Sequence, residues 1–172
     1  YVMVGPIPLP TGAAFGAALA YNDINSHVKA YLDQNIIINA NNNIVIQALS
    51  APEIMTVAAG GSLSFWVGVS GTVATNIIKS NVEAAIKNST VTSTNNIYLL
   101  ADMDGKINSY GGALSGGAIS MGATGIINII ENTVNSYIEN SHIKAKGNGN
   151  AISVLKWDDN GNESTENVNG LI

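Results

Sequence analysis

A stretch of sixteen residues occurs three times in this chain, and this repetition constrains the fold more than any other feature of the sequence. The three copies occupy residues 22–37, 76–91 and 128–143. Their central valines, Val28, Val82 and Val134, are separated by 54 and 52 residues. A nearly constant period of this size is typical of a repeat protein, in which equivalent residues of successive copies stack on one another.

Within each copy, apolar and polar residues alternate. In the first copy, Val28, Ala30 and Leu32 lie on one side of the chain, whereas Lys29 and Tyr31 lie on the other. Alternation at every second residue predicts a β-strand with one buried face. A helix would need apolar residues three and four positions apart, and it would place Lys29 on its apolar side. We therefore predict that the three copies are strands.

Each of these strands is followed by a polar break. The breaks are Gln34-Asn35, Asn88-Ser89 and Asn140-Ser141. Asn and Ser favour turns because their side chains bond to nearby backbone groups, and Asn also tolerates the left-handed backbone conformation. Short strands are then predicted at residues 36–40, 91–94 and 143–146, and a matched pair of strands at residues 44–48 and 97–101.

Stretches rich in small residues precede the copies, at residues 12–20, 58–75 and 110–127. In the second of them, Val67 and Val69 alternate with Gly68 and Ser70. This is again a strand pattern, now with one face made of very small side chains, which allows another layer to approach closely. The first stretch is rich in Ala, which favours a helix, but its position in front of a copy favours a strand.

About four or five short strands per repeat, separated by Asn, Gly, Pro or Asp corners, predict an all-β solenoid of stacked coils over residues 12–156. We estimate two coils per repeat, and on the order of six or seven coils in all at roughly 25 residues each. Residues 1–11 contain three prolines and are predicted to be an extended N-terminal segment. Residues 157–172 lose the alternation, which predicts a polar C-terminal loop or tail.

Composition limits the function classes. The apolar fraction of 46% is enough for a packed core, and the formal net charge is −5 with only 11% charged residues. Proteins that bind nucleic acids need basic patches to meet the phosphates, so a nucleic-acid partner is excluded. There is no Cys, and hence neither a disulfide nor a thiolate metal site. No uninterrupted apolar run reaches the roughly 18 residues of a transmembrane helix. The chain starts with Tyr1, which we interpret as a piece of a longer protein whose targeting signal lies elsewhere.

Two acidic segments resemble calcium loops. Asp102 and Asp104 open such a loop, but the Glu expected at its twelfth position is Ala113, so we interpret this segment as a turn. A second group of oxygen ligands is formed by Asp158, Asp159, Asn160 and Asn162. It has two interpretations, a weak Ca²⁺ site or a solvated loop, and we favour the loop. We predict no other metal site and no cofactor.

Histidine and aromatic residues give one further candidate surface. His27 and His142 have no acid or nucleophile nearby in sequence, so we interpret them as surface residues. Tyr31, Trp66 and Tyr137 alternate with the aliphatic residues of their strands and form a candidate aromatic patch for a glycan or a protein. The alternative, which we favour, is that these rings cover the flank of a sheet.

The repeated unit resembles a known family. It has the form Asn-x-x-x-x-x-Val-x-Ala-Tyr-Ile-x-Asn-Ser-x-Val after a Gly/Ala/Val-rich strand, with its best matches at residues 82–91 and 134–143 and a weaker one at residues 28–37. Such units resemble the leukotoxin-like and filamentous-haemagglutinin-like repeats of large bacterial exoproteins, which are passengers of two-partner or autotransporter secretion. The first copy departs from the unit at Asp33-Gln34-Asn35, and the second has Ala85 where Tyr is usual.

The resemblance implies a right-handed parallel β-helix in a secreted or surface-displayed adhesin or toxin, and no catalytic residues. Its partners would be a host-cell surface protein or glycan and neighbouring repeats of the parent chain. Open strand edges also predict end-to-end self-association. Two alternatives remain. One is a β-helical polysaccharide lyase or hydrolase, which twelve scattered acids and the lack of Arg disfavour. The other is a membrane-active toxin segment.

Overall fold

The structure, a computed structural model, describes residues 2–8, 12–147, 150–158 and 160–169, and these residues form thirteen β-strands and no helix. The strands are β1 (Val2–Pro8), β2 (Ala13–Leu32), β3 (Ile37–Ala40), β4 (Ile44–Ser50), β5 (Glu53–Leu63), β6 (Val67–Lys87), β7 (Thr90–Ser93), β8 (Ile97–Met103), β9 (Lys106–Gly116), β10 (Ile119–Glu139), β11 (His142–Ala145), β12 (Ala151–Trp157) and β13 (Glu163–Asn169). The all-β prediction is confirmed.

Most strands pair in parallel with the equivalent strand of the next copy. Strands β3, β7 and β11 form one sheet, with Thr90 of β7 opposite both Ile37 and His142. The pairs β4–β8 and β5–β9 are also parallel, and all eleven residues of β5 keep one register with β9. Equivalent residues of successive copies therefore lie side by side, as the repeat predicted.

The long strands β2, β6 and β10 are neighbours in a sheet ordered β1-β2-β6-β10. Where side chains of β6 and β10 are hydrogen-bonded to each other, the two residues are the same number of positions apart in the sequence. This separation is 52 both for Thr72 with Thr124 and for Asn76 with Asn128. An antiparallel pair would change this separation from one contact to the next. The three long strands are therefore parallel.

The estimate of two coils per repeat is wrong. Strand β7 is hydrogen-bonded directly to both β3 and β11, so no strand lies between equivalent strands of successive copies. Each repeat contributes a single set of strands. The reason is the length of β2, β6 and β10, which span 20, 21 and 21 residues. The small-residue stretch and the copy that follows it, which the sequence pattern separates, are one continuous strand.

The two periods, 54 and 52, differ because of two corners. The separation of paired residues is 54 from Asn22 to Asn76, 53 from Ile37 to Thr90 and 52 from Thr90 to His142. The separation falls from 54 to 53 at the β2–β3 corner, and from 53 to 52 at the β5–β6 corner. The first copy has one extra residue at each corner. The departure of the first copy at residues 33–35 is therefore an insertion in a corner, and the stacked strands keep their register.

Antiparallel strands lie at both ends of the described chain. Strand β1 pairs with the start of β2, from Val2 opposite Leu19 to Pro8 opposite Ala14. Strand β13 pairs with β12 along its whole length. The prediction of a loop or tail at residues 157–172 is thus wrong for residues 163–169. A polar segment forms a strand here because backbone pairing along β12 does not require an apolar face, and because Lys156 forms a salt bridge with Glu166 at 2.8 Å.

The chain divides into two compact units, each built from one segment of every repeat. Unit 1 comprises Tyr1–Ile24, Pro52–Lys79 and Lys106–Glu131, and unit 2 comprises Asn25–Ala51, Ser80–Gly105 and Asn132–Ile172. In unit 1, strands β2 and β6 pack on β5 through a cluster of Ala20, Ala58 and Ala74. In unit 2 they pack on β4 and β8 through a larger aliphatic cluster around Ala48, Val82 and Ala84.

The predicted alternation is confirmed in β2 and β6, the two long strands that have a neighbouring strand on each side. Even-numbered residues of β2 and β6 are the more buried ones along most of each strand. Val82 is fully buried, and Val28 packs on the same cluster. Val134, in the outermost strand β10, is 44% exposed. The small residues Gly68, Ser70 and Thr72 face inward in unit 1, as their size predicted.

Candidate functional site

A row of three asparagines lies inside unit 1, at the same level of β2, β6 and β10. The Nδ2 of Asn22 donates to Oδ1 of Asn76 at 2.8 Å, and the Nδ2 of Asn76 donates to Oδ1 of Asn128 at 2.9 Å. Asn76, in the middle, is completely buried. Stacked identical amides of this kind are known to reinforce parallel in-register strands. We call these three residues the asparagine ladder.

Hydroxyl groups from the facing strands complete this network. Thr56 of β5 accepts a hydrogen bond from Asn22 at 2.9 Å and donates to Asn76 at 2.6 Å. Ser109 of β9 accepts from Asn76 at 2.8 Å and donates to Asn128 at 2.9 Å. Since a buried amide is costly when it lacks partners, any shift in register would leave Asn76 unsatisfied. The network therefore fixes both the register of the long strands and their position over β5 and β9.

Sequence reasoning missed this role. Asn22, Asn76 and Asn128 are the first residues of the three copies, and Asn is usually found in turns rather than strand interiors. The signal that could have revealed the ladder was their equivalent position, together with a hydroxyl residue at equivalent places in β5 and β9, Thr56 and Ser109.

An ionic cluster lies on the outer face of unit 2, centred on Glu83 of β6. Its carboxylate contacts Lys87 at 2.7 Å and Lys29 of β2 at 3.2 Å, and it accepts a hydrogen bond from Tyr137 of β10 at 2.8 Å. The hydrogen bond from Lys87, followed by those from Tyr137 and Lys29, lowers the pKa of Glu83 to about 2. We call these four residues the Glu83 cluster, which joins three strands.

The cluster also fixes Lys87. Its hydrogen bond to Glu83 raises the pKa of Lys87 above the ordinary lysine value, and its Nζ lies 4.9 Å from the centre of the Tyr137 ring. A cation at this distance from an aromatic face is attracted to the ring. A carboxylate with so low a pKa stays ionised at neutral pH and cannot serve there as a general acid. The arrangement suits a cross-strand clamp.

The predicted aromatic patch is distributed over both units. Tyr31 of β2 and Tyr137 of β10 lie on the outer face of unit 2, on either side of Ala85 of β6. Tyr31 is 57% exposed, Tyr137 is half-buried, and Ala85 is fully buried although it faces outward. Trp66 lies in unit 1 at the β5–β6 corner, where it is largely exposed. Where the other two copies have tyrosine, the second copy thus has Ala85, a small residue between the rings of Tyr31 and Tyr137.

A polar groove follows the corners of the three copies in unit 2, with a volume of about 540 Å³. It is lined by Asn35, Ile36, Ile37, Asn88, Ser89, Thr90, Asn140, Ser141 and His142. Asn35, Asn88 and Asn140 have φ angles of 58°, 46° and 46°, which confirms the turn prediction. The backbone N–H of Ser89 donates to Oγ of Ser141 at 3.1 Å. We call it the corner groove; it offers amides and hydroxyls to a neutral ligand.

In both calcium-loop candidates a carboxylate accepts hydrogen bonds from backbone N–H groups. The carboxylate of Asp158 accepts hydrogen bonds from the backbone N–H groups of Asn162 at 2.8 Å and Asn160 at 2.9 Å, and that of Asn162 contributes most to lowering the pKa of Asp158. Asp159 lies outside the described residues. Asp102 accepts from the backbone N–H groups of Met103 and Trp157. Nowhere in the described ranges do three His, Asp or Glu side chains gather as metal ligands would.

The two histidines are both exposed in unit 2, His27 on β2 and His142 on β11, where it lines the corner groove. None of the described residues belongs to a helix of the length and hydrophobicity that crossing a bilayer requires. No protein-family model, no curated protein and no solved structure matches this chain. The family resemblance of the repeated unit therefore remains a prediction.

Proposed function

We propose that this chain is a structural and adhesive segment of a secreted or surface-displayed bacterial adhesin or toxin, folded as a right-handed β-solenoid and without catalytic activity of its own. The asparagine ladder is the observation on which the proposal rests. A row of equivalent amides, held at one level across three copies and buried at its central Asn76, is a device for stacking repeats in register.

The corners support the solenoid. In every copy the corner between the long strand and the short strand of a second parallel sheet contains an Asn in the left-handed conformation, and in the first copy Gln34 is left-handed as well. Asn adopts this conformation at little cost, so the chain turns between the same two sheets in every repeat, even with the extra residue in the corner of the first copy. Repeated bends between parallel sheets are what a coiled β-chain requires.

The hydrogen bonding of three carboxylates supports binding over catalysis at their positions. The carboxylates of Glu83, Asp102 and Asp158 are each held by two or more hydrogen-bond donors from this chain. A polysaccharide lyase or hydrolase needs a free base or acid beside its substrate. What these surfaces offer a ligand is neutral, namely the ring of Tyr31 and the amides and hydroxyls of the corner groove. Glycans and protein surfaces are recognised by aromatic rings and hydrogen bonds of this kind.

Binding to host cells or to a glycan array tests the proposal. We expect Tyr31→Ala to reduce binding at least about tenfold, as loss of an aromatic anchor does. Tyr110→Ala is the matched control, because Tyr110 is a strand tyrosine of unit 1 that is 61% exposed, against 57% for Tyr31. Absence of binding by the wild type, or equal loss in the two variants, would contradict the proposal.

A second candidate, a membrane-active segment, is favoured by one observation. Large apolar residues project from unit 1, and Phe65 is 92% exposed and Leu63 84% exposed. Exposed apolar groups of this size are found where proteins meet other proteins or lipid. Leakage of dye from liposomes on addition of the protein would support this candidate, and it should be weaker with Phe65→Ser. Intact liposomes at high protein concentration would exclude it.

A further inference from the structure

The asparagine ladder has a direction. Each asparagine donates through Nδ2 to Oδ1 of the next strand, from Asn22 to Asn76 and from Asn76 to Asn128. At one end, the Oδ1 of Asn22 accepts no hydrogen bond from any described residue. At the other end, the Nδ2 of Asn128 donates to none of them. The row thus ends in an open acceptor on β2 and an open donor on β10.

The strand edges at these two ends are open as well. Within the described part of the chain, β10 is the last strand of its sheet. Its inward residues are exposed, for example Ile130 at 45%, whereas the equivalent Ile78 of β6 is completely buried. At the opposite edge β1 pairs with Ala14 to Leu19 of β2, and no other described strand pairs with the remainder of that edge. An unpaired edge of this length is a template for another strand.

We propose that β10 binds a second copy of this chain by pairing in parallel with its β2, so that Nδ2 of Asn128 donates to Oδ1 of Asn22 of the second copy. The contact would continue the pairing that already joins β2 to β6 and β6 to β10 within one chain. This inference rests on the proposed function, because it applies the stacking of repeats to two molecules.

The ladder fixes the register of this contact, and the register determines which other residues meet. Val134 would lie beside Val28 of the second copy, and Asn135 beside Lys29 of the second copy. Glu139 would face Asp33 of the second copy, a pair of like charges that weakens the contact. The β1 strand of the second copy occupies the place in front of its Ala14 to Leu19, so pairing starts after it. The association is therefore reversible and depends on concentration.

Because the donor and acceptor ends differ, the contact is head-to-tail. An isologous contact through two β10 strands would be antiparallel and would offer the Nδ2 of Asn128 no Asn22 acceptor. Head-to-tail contacts that do not close on themselves produce open-ended chains rather than dimers. The mean mass in solution should therefore rise continuously with protein concentration, without a plateau at twice the monomer mass.

Two substitutions of Asn by Asp in β10 test the register. Asn128→Asp keeps an oxygen that accepts from Asn76 and Ser109, but it replaces the open donor by a carboxylate that faces the Oδ1 of Asn22 of the second copy. Asn135→Asp adds the same charge to an exposed position of the same strand, beside Lys29 of the second copy. The neighbouring Glu83 in its own chain is already paired with two lysines. Sedimentation velocity over a wide concentration range measures both variants and the wild type.

We expect Asn128→Asp to raise the concentration needed for association about tenfold, as loss of one ladder hydrogen bond and a repulsive contact implies. Asn135→Asp should associate at least as strongly as the wild type, although both variants carry one more negative charge. Circular dichroism should show both variants folded. Equal weakening in the two variants would overturn the register. A strictly monomeric wild type, or a dimer plateau, would overturn the inference, while binding of that monomer to host cells would leave the proposed function standing.

Discussion

The inward faces of unit 1 and unit 2 are built from side chains of different size. In unit 1 the inward residues of β2 are small, such as Ala18 and Ala20, and the outward ones are large, such as Phe15 and Leu19. In unit 2 the inward residues of β6 are large and fully buried, such as Val82 and Ile86, and the outward ones carry charge. Unit 2 follows the usual division between core and surface. In unit 1 many inward positions carry small residues, although large inward residues such as Ile78 are buried there as well.

Close approach of the backbones restricts side-chain size in the part of unit 1 around Gly16 and Gly68. A Cβ atom added to Gly68 would lie 2.5 Å from the carbonyl oxygen of Gly116, and one added to Gly16 would overlap the carbonyl oxygen of Gly61. The backbones there approach too closely for larger side chains, so this part of unit 1 buries less apolar area and gains a smaller hydrophobic contribution. Stability in unit 1 then depends on backbone hydrogen bonds and on the asparagine ladder. The stability of unit 2 should therefore be lowered most by removing atoms from its core. The stability of unit 1 should be lowered most by adding atoms where its backbones approach closely.

Removal of core atoms from unit 2 should have the largest effect. Ile86 is completely buried in β6, and we expect Ile86→Ala to lower the free energy of unfolding by about 2–5 kcal/mol because it leaves a cavity. The matched variant is Ile138→Ala, at the equivalent position of β10, where the side chain is 50% exposed; here the loss should stay below about 1 kcal/mol. Urea unfolding followed by fluorescence of Trp157, in a Trp66→Phe background, reports on unit 2.

A similar loss of stability in the Ile86→Ala and Ile138→Ala variants would contradict the comparison. It would mean that β10 is covered as fully as β6. Because association through β10 would cover Ile138, the measurement is made at low protein concentration and repeated at a higher one.

The elements that could be predicted from the sequence are those in which the pattern of hydrophobicity and the pattern of burial agree. In unit 2 the alternation around Val28 and Val82 marks the inward face correctly, and the polar breaks at Asn88 and Asn140 mark the corners. Strand prediction succeeds there because aliphatic residues are buried and Asn adopts the left-handed conformation at low cost.

The sequence misleads where these two patterns diverge. Inward positions of β6 run from Gly68 through Asn76 to Val82 with unbroken alternation, but their side chains change from small to polar to aliphatic. The change of side-chain type at Asn76, where the repeated unit begins, predicts two separate elements, and coils of roughly 25 residues then give two coils per repeat. The asparagine ladder is missed as well, since a buried amide is recognised only by its partners in other strands.

Addition of a single methyl group to unit 1 should have an intermediate effect. We expect Gly68→Ala to lower the free energy of unfolding by about 1–3 kcal/mol, because the backbone at Gly116 has to move. Gly125→Ala is the control, since a Cβ there has no atom within 4 Å. Ala is preferred to Gly in a strand, so the control should be neutral or slightly stabilising. Urea unfolding monitored by circular dichroism compares the two. Equal changes in the free energy of unfolding for Gly68→Ala and Gly125→Ala would show that close approach of the backbones does not restrict side-chain size in unit 1.

The smallest effect concerns the charged outer face of unit 2 and depends on pH. The pKa of Glu83 is lowered to about 2, against about 4.3 for an ordinary Glu. A lowered pKa means that the carboxylate stabilises the fold fully above the ordinary value, and that this stabilisation is lost as the pH falls toward 2. Glu83→Gln should therefore cost about 1 kcal/mol at neutral pH, with the difference from the wild type disappearing near pH 2.

The matched charge in unit 1 is Glu131, which has one partner, Lys79 at 3.4 Å, and a side chain that is 62% exposed. Because a single exposed ion pair contributes little, Glu131→Gln should change stability by less than about 0.5 kcal/mol at any pH. Thermal unfolding of both variants between pH 2 and pH 7 measures the contrast. The stability difference between Glu83→Gln and the wild type could instead be the same at pH 2 and at pH 7. The Glu83 cluster would then stabilise unit 2 through packing of its side chains and not through the ionised carboxylate.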